Sequence, residues 1–129
     1  MSSTTARGIN PANLTETEHA ELKDAASKGM LVAWHAARLQ DIVAVQSDYG
    51  HRTWHQLNAR CNQLAYRLRE AGLTAGDSVA IVAKNRPEFI EAFCAAHRAG
   101  LRFTPINFHL KGDEIGYIVN NCEAKAFIA

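Results

Sequence analysis

The sequence lacks the short signatures that most often betray an active site. There is no G-x-x-x-x-G-K-[ST], no G-x-G-x-x-G, no G-x-S-x-G and no H-E-x-x-H anywhere in its 129 residues. A doubly wound sheet usually holds its ligand at a glycine-rich phosphate loop, so this absence counts against a nucleotide site within the segment. Cysteine is scarce: Cys61, Cys94 and Cys122 are far apart, odd in number and form no C-x-x-C pair. Neither a disulfide framework nor a zinc knuckle is supported, and a reducing cytosol is the expected compartment. No apolar window approaches a membrane span, and the opening MSSTTARGINPANLTETEHAELK has no apolar core of the signal-peptide kind. One-sided charge is also missing. A net charge of +1 removes the surplus of Lys and Arg that nucleic acid or an anionic membrane would need.

What is present describes a globular α/β segment. Hydrophobic residues make up 47% and charged residues 21%, and the length suits one domain with a modest core. Residues 1–28 read as a polar, mobile leader, within which a weak helix over Glu16 to Lys28 is an alternative. The organised part begins at Gly29. MLVAWHAARL reads as a short amphipathic helix, and Ile42 to Thr53 as a β-hairpin turning at SDYGH. TWHQ is a capping box, with Thr53 and Gln56 as the reciprocal pair. Leu57, Cys61, Leu64, Ala65, Leu68 and Ala71 then fall on one helical face, and Gly72 stops the helix. SVAIVA is a continuous apolar run, as expected of a strand buried on both faces.

The pattern repeats. In NRPE, Asn85 is the expected cap of a second helix, with Pro87 in its first turn and Glu88 reaching back. Phe89, Ile90, Phe93, Ala96 and His97 make the expected apolar stripe, and Gly100 ends it. Leu101 to Thr104 is expected as a short strand whose ladder Pro105 terminates. Asp113 to Asn121 reads as a helix and KAFIA as a third strand. The whole is a βαβαβ parallel unit preceded by a helix and a hairpin. Three parallel strands need further cover on both faces, and the sequence stops inside an apolar run; residues 29–129 are therefore expected to be an incomplete piece of a larger domain.

Chemistry-bearing residues are few. Nine Lys/Arg stand against four Asp/Glu between His51 and Lys111, a difference of +5, and Arg60, Arg67 and Arg69 lie on one expected helix. A solvated face is the plainer reading and an anion site the sharper one. Lys84, Asn85 and Arg86 lie between a strand end and a helix start, where backbone N–H groups and two cations suit an anion; the plainer reading is a capped helix with solvated cations. His51 and His55 flank the Thr53 cap and so do not share a helix face. His97 is read as a helix-end or packing residue and His109 as a loop residue. Arg102, inside a strand, points to an edge or to solvent.

Four ordered pieces carry a resemblance: RTWHQL, GLTAGDSVAIVAKNRPEF, RAGLRFTPIN and DEIGYIVNNCEAKAFIA. Together they are similar to the N-terminal part of the acyl-CoA synthetase branch of the AMP-forming adenylating enzymes, over about Met30 to Ala129. The resemblance implies a large adenylate-forming domain of α/β class. It implies a parent that activates a carboxylic, in the first instance fatty, acid with Mg-ATP and transfers the acyl group to coenzyme A, in the cytoplasm or peripheral to a membrane through its lipid substrate. Asn107, in a place where amino-acid-activating domains usually have Asp, leans toward fatty-acyl or related carboxylate activators; aryl-acid or amino-acid activation and a truncated interaction module are the alternatives. The family's phosphate loop ending in Pro-Lys-Gly, its aromatic-Gly-x-Thr-Glu segment, its ribose-binding Asp and its C-terminal lysine match no stretch here. No catalytic, cofactor-binding or metal residue is therefore assigned; those residues are expected beyond Ala129. ATP, Mg and coenzyme A are implied for the parent and not for this segment. Its expected partner is the remainder of the adenylation domain.

Overall fold

The computed structural model describes residues 9–129. Five helices and five strands follow a short 3-10 turn at Pro11–Asn13: α1 (Glu16–Ser27), α2 (Leu31–Leu39), β1 (Val43–Ser47), β2 (Gly50–Thr53), α3 (Trp54–Glu70), β3 (Ser78–Val82), α4 (Pro87–Arg98), β4 (Arg102–Ile106), α5 (Gly112–Asn121) and β5 (Ala124–Ile128). β1 and β2 pair antiparallel as the expected hairpin. The other strands form a parallel sheet in the order β4-β3-β5, so the chain crosses over β3 between β4 and β5.

Part of the stretch 1–28 is helical. Thr15 Oγ1 accepts from the Glu18 N–H at 3.1 Å while a Glu18 carboxylate oxygen accepts from the Thr15 N–H at 3.1 Å, so TETE is a capping box and α1 starts there. Residues 1–8 of the expected leader lie outside the described residues. α1 buries none of its residues and is tied to α2 by Glu21 and Arg38, 3.1 Å apart.

α3 starts as its sequence predicts. Thr53 Oγ1 accepts from the Gln56 N–H at 3.1 Å, and Gln56 Oε1 accepts from the Thr53 N–H at 2.9 Å. Leu57, Cys61, Ala65 and Leu68 are its buried residues, and the chain turns at Gly72 with φ +95°. β3 lies between β4 and β5 and is buried along four of its five residues, which explains its unbroken apolar run. Successive residues of a strand face opposite ways. Val79, paired with Phe103 and Ala126, turns to the side of α3 and α4, where Leu68, Leu73, Ala96 and Leu101 complete a core cluster. Ala80 and its register partner Phe127 face the other way.

Two expectations are corrected. β4 runs through Pro105, which is in register with Ile81. Among the described residues β4 is an edge strand, and there a missing N–H on the outer side breaks no ladder bond. The buried face of α4 is also rotated from the expected stripe: Glu91, Ala92, Ala95 and Ala96 are buried, whereas Ile90 and Phe93 stay 37% and 42% exposed. Alanine allows α4 to approach α3 closely, and the larger side chains are left on the flank. Phe93 and Phe89 instead pack edge-on against Phe103, at 5.4 and 5.8 Å between ring centres.

Candidate functional site

A parallel sheet presents its ligand-binding crevice at the carboxyl ends of its strands. Here the residues after β3 and β4 meet the β1–β2 turn around a cleft of about 400 Å³ lined by Ser47, Asp48, Tyr49, Lys84, Asn85 and Phe108. Lys84, Asn85 and Arg86 are not buried. Asn85 does not cap α4. Pro87 is the first helical residue and holds its predecessor extended, so Arg86 (φ −112°, ψ 159°) takes the cap position with no side-chain hydrogen bond, and Asn85 stands one residue too far out. Glu88 accordingly has no capping partner to reach back to. Its carboxyl lies below the ordinary carboxylate range, first because its own backbone N–H at the start of α4 donates to it, then because Arg86 and Arg52 are near. The Arg86 guanidinium lies 4.9 Å from the centre of the Tyr49 ring and 3.4 Å from Glu88. One of the two cations invoked for an anion is thus held by an aromatic face and a carboxylate.

The histidines stay apart. No group of three His, Cys, Asp or Glu side chains suited to a metal ion occurs among the described residues. His51 and His55 are exposed on β2 and at the start of α3. His97 Nδ1 bonds the Phe93 carbonyl of its own helix at 3.2 Å. The His109 N–H donates to Asn107 Oδ1 at 2.9 Å and the Leu110 N–H to the Asn107 carbonyl at 3.1 Å, closing a turn after β4. An aspartate would accept the first of these bonds equally well, so the turn alone does not select asparagine. Arg102 is exposed on the edge strand, as expected, and its Nε donates to the Gly76 carbonyl at 2.9 Å.

The most organised polar centre lies elsewhere and was not visible in the sequence. Glu91, 4% exposed, sits on the buried face of α4. Arg52 of β2 donates through Nε to its Oε1 at 2.9 Å, and Arg60 of α3 donates through Nε to its Oε2 at 2.8 Å. Arg52 also approaches Glu88 at 3.5 Å. The hydrogen bond and charge of Glu91 push Arg60 above its ordinary value. Arg60 is therefore an ion-pair partner, and not simply part of a solvated basic face. Two helical turns beyond Glu91, Arg98 clamps the same two helices: its Nη1 donates to Asn62 Oδ1 at 2.7 Å and its Nη2 to Asn58 Oδ1 at 2.9 Å. Asn58 and Asn62 are four apart on α3 and so face α4 together. Each contact joins residues 31 to 40 positions apart, and nothing local in the sequence pairs them. Chemically, a glutamate with both oxygens committed to guanidinium groups is neither a free base nor a free metal ligand.

Comparison with known proteins assigns the chain to a family. Residues 32–129 match the family described as AMP-binding enzyme. The chain is 36% identical over 86 residues to a 3-oxocholest-4-en-26-oate–CoA ligase of Rhodococcus rhodochrous, covering 67% of this chain and 16% of that protein. It is 34% identical over 94 residues to tyrocidine synthase 3 of Brevibacillus parabrevis, covering 73% of this chain and 1% of that one. Among solved structures, the N-terminal subdomain of NpsA from Klebsiella oxytoca superposes with a TM-score of 0.71 at 26% identity, over 80% of this chain and 27% of that one. The chain thus spans a small part of the proteins it matches. It belongs to the AMP-binding enzyme family, as a segment with the fold of the N-terminal subdomain of an adenylate-forming enzyme.

Proposed function

We propose that this chain is the N-terminal structural segment of an acyl-CoA synthetase. The parent activates a carboxylic acid, a fatty acid in the first instance, with Mg-ATP to an acyl-adenylate and passes the acyl group to the thiol of coenzyme A. The segment itself is inactive alone and binds none of these cofactors. Its partner is the remainder of the adenylation domain, whose loops it holds in place.

The observation that carries this reading is the pairing of the segment's most organised charged side chains with one another. Acyl-adenylate formation places charge on phosphoryl oxygens and needs donors and a cation aimed at them. The residues present do not fit Mg-ATP: Glu91 is held by Arg52 and Arg60, Arg98 by Asn58 and Asn62, and Arg86 by Glu88 and Tyr49. Similarity to a CoA ligase over two thirds of the chain supports the transfer to coenzyme A. The similarity to a tyrocidine synthase, and to NpsA as solved with 3-hydroxybenzoyl-AMSN, favours a second reading, in which the parent activates an amino acid or an aryl acid.

ATP–pyrophosphate exchange with added fatty acid tests the first claim. No exchange above background is expected from this chain, and measurable exchange would overturn the assignment of the segment as frame. The acid class is tested on the complete protein that carries the segment. A fatty-acyl thioester of coenzyme A is the expected product, and exchange supported by an amino acid with no thioester formed would favour the second reading.

A further inference from the structure

Two of the three cysteines meet in the fold. Cys61 on α3 is 0% exposed and belongs to a core cluster with Val32 and Leu57, against which Cys94 of α4 packs. The Cys61 Sγ–H points at the carbonyl of Glu91, 3.7 Å away and one helical turn before Cys94. Cys94 is half-buried and lines an apolar groove of about 530 Å³, bordered also by Leu31, Val45, Trp54, Ile90 and Phe93. Cys122 stands apart at the end of α5, its thiol turned to the Val119 carbonyl at 3.5 Å. The fold therefore places one thiol in the core and a second between that thiol and an open groove.

The two thiols are also chemically unequal. The Cys61 thiol is pushed far up, first by its interaction with the Cys94 thiol and then by burial. Cys94 falls below a thiol's ordinary value, first through its interaction with the neighbouring Cys61 thiol, with Arg98 one turn on adding a favourable charge. Of the two, Cys94 is the more readily ionised, and it is the one that borders the groove.

We propose that Cys61 and Cys94 form an oxidisable dithiol, which a hydroperoxide closes to a disulfide that joins α3 to α4. The Cys94 thiolate attacks the terminal oxygen of the hydroperoxide; the O–O bond breaks, the alcohol leaves with a proton from solvent, and Cys94 becomes a sulfenic acid. The Cys61 sulfur then attacks the sulfur of Cys94, the S–S bond forms, and the Cys61 proton and the hydroxyl depart as water. Two electrons pass from the sulfur pair to the peroxide. The groove gives an apolar hydroperoxide its route to Cys94, and the buried position of Cys61 makes it the resolving thiol.

Trypsin places the three cysteines on three different peptides, those of residues 61–67, 85–98 and 112–125, so the pairing can be read directly. The folded chain, treated with tert-butyl hydroperoxide and digested without reduction, is expected to lose about 2 Da and to yield the 61–67 peptide linked to the 85–98 peptide. The same treatment in urea should scatter the links over all three cysteines. Cys122→Ser should leave the native result unchanged, and Cys61→Ser should divert Cys94 to higher oxides. Links to Cys122 as frequent in the folded chain as in urea, or oxygen addition at Cys94 without any link, would overturn the proposal.

Discussion

The α3–α4 pair and the α5–β5 unit are both amphipathic by sequence, yet they meet very different surroundings. α3 and α4 bury a continuous seam from Leu57 to Leu68 and from Glu91 to Ala96, crossed by two sets of charged hydrogen bonds. α5 buries none of its residues, and β5 alternates between half-buried and exposed. Tyr117 is 70% exposed and Phe127 48%, although both are large and apolar. An apolar pattern states only that a face can be buried. Burial follows when another element stands opposite, and among the described residues α5 and the outer side of β5 have no such cover. Large exposed apolar side chains on neighbouring elements are the usual mark of a surface that meets something else.

The sharpest way to break this contrast is to attack the seam. Glu91→Ala leaves Arg52 facing a buried void, and loss of one partner from a buried ion pair costs about 3–5 kcal/mol. Arg60 remains half in solvent, so the lower end is expected, about 3 kcal/mol, read as a fall in the urea midpoint. A midpoint unchanged within error would show that the network is incidental. Gly29→Ala should come next. Gly29 has φ +70°, and a Cβ there would lie 2.4 Å from the His97 carbonyl oxygen, because the α1–α2 turn rests directly on the end of α4. The left-handed conformation alone costs about 1–2 kcal/mol for a residue with a side chain, and the clash adds to it.

A smaller effect concerns pH. The Glu88 carboxyl is depressed in the folded chain, so its contribution is present above its unfolded value and disappears as pH falls through its folded one. Glu88→Gln should lower stability slightly at neutral pH and leave it unchanged below the folded value, which flattens the acid limb of the stability profile measured by urea midpoints against pH. The smallest effect is expected at the other pole of the comparison. Phe127→Ser should alter stability by less than about 0.5 kcal/mol while reducing self-association measured by light scattering. A large destabilisation would mean that the outer face of β5 is part of the core.

How much of this was legible in the sequence depended on the range of the interaction. The start of α3 was, because Thr53 and Gln56 complete their bonds within three residues. β3 was, because a strand with neighbours on both sides has no polar face to show. Asn85 misled because the capping pattern fits it, while the proline's hold on the preceding residue shifts the cap to Arg86. The α4 stripe misled because hydrophobicity ranks Phe93 above Ala92, whereas close helix packing favours the smaller side chain. The Glu91 and Arg98 networks could not be read at all, since a charged residue within an apolar stripe signals a partner without saying which. The family was legible from the order of four motifs, and the acid class was not, since relatives on both sides of that division match the same frame.

Amide hydrogen exchange on the isolated chain tests most directly whether a closed frame and an uncovered unit coexist in this segment. Slowest exchange is expected at Val79, Ala80 and Ile81 and through the buried turns of α3 and α4, with the amides of α5 opening orders of magnitude faster. Protection of α5 equal to that of β3 would contradict it, because the two regions would then open as one cooperative unit.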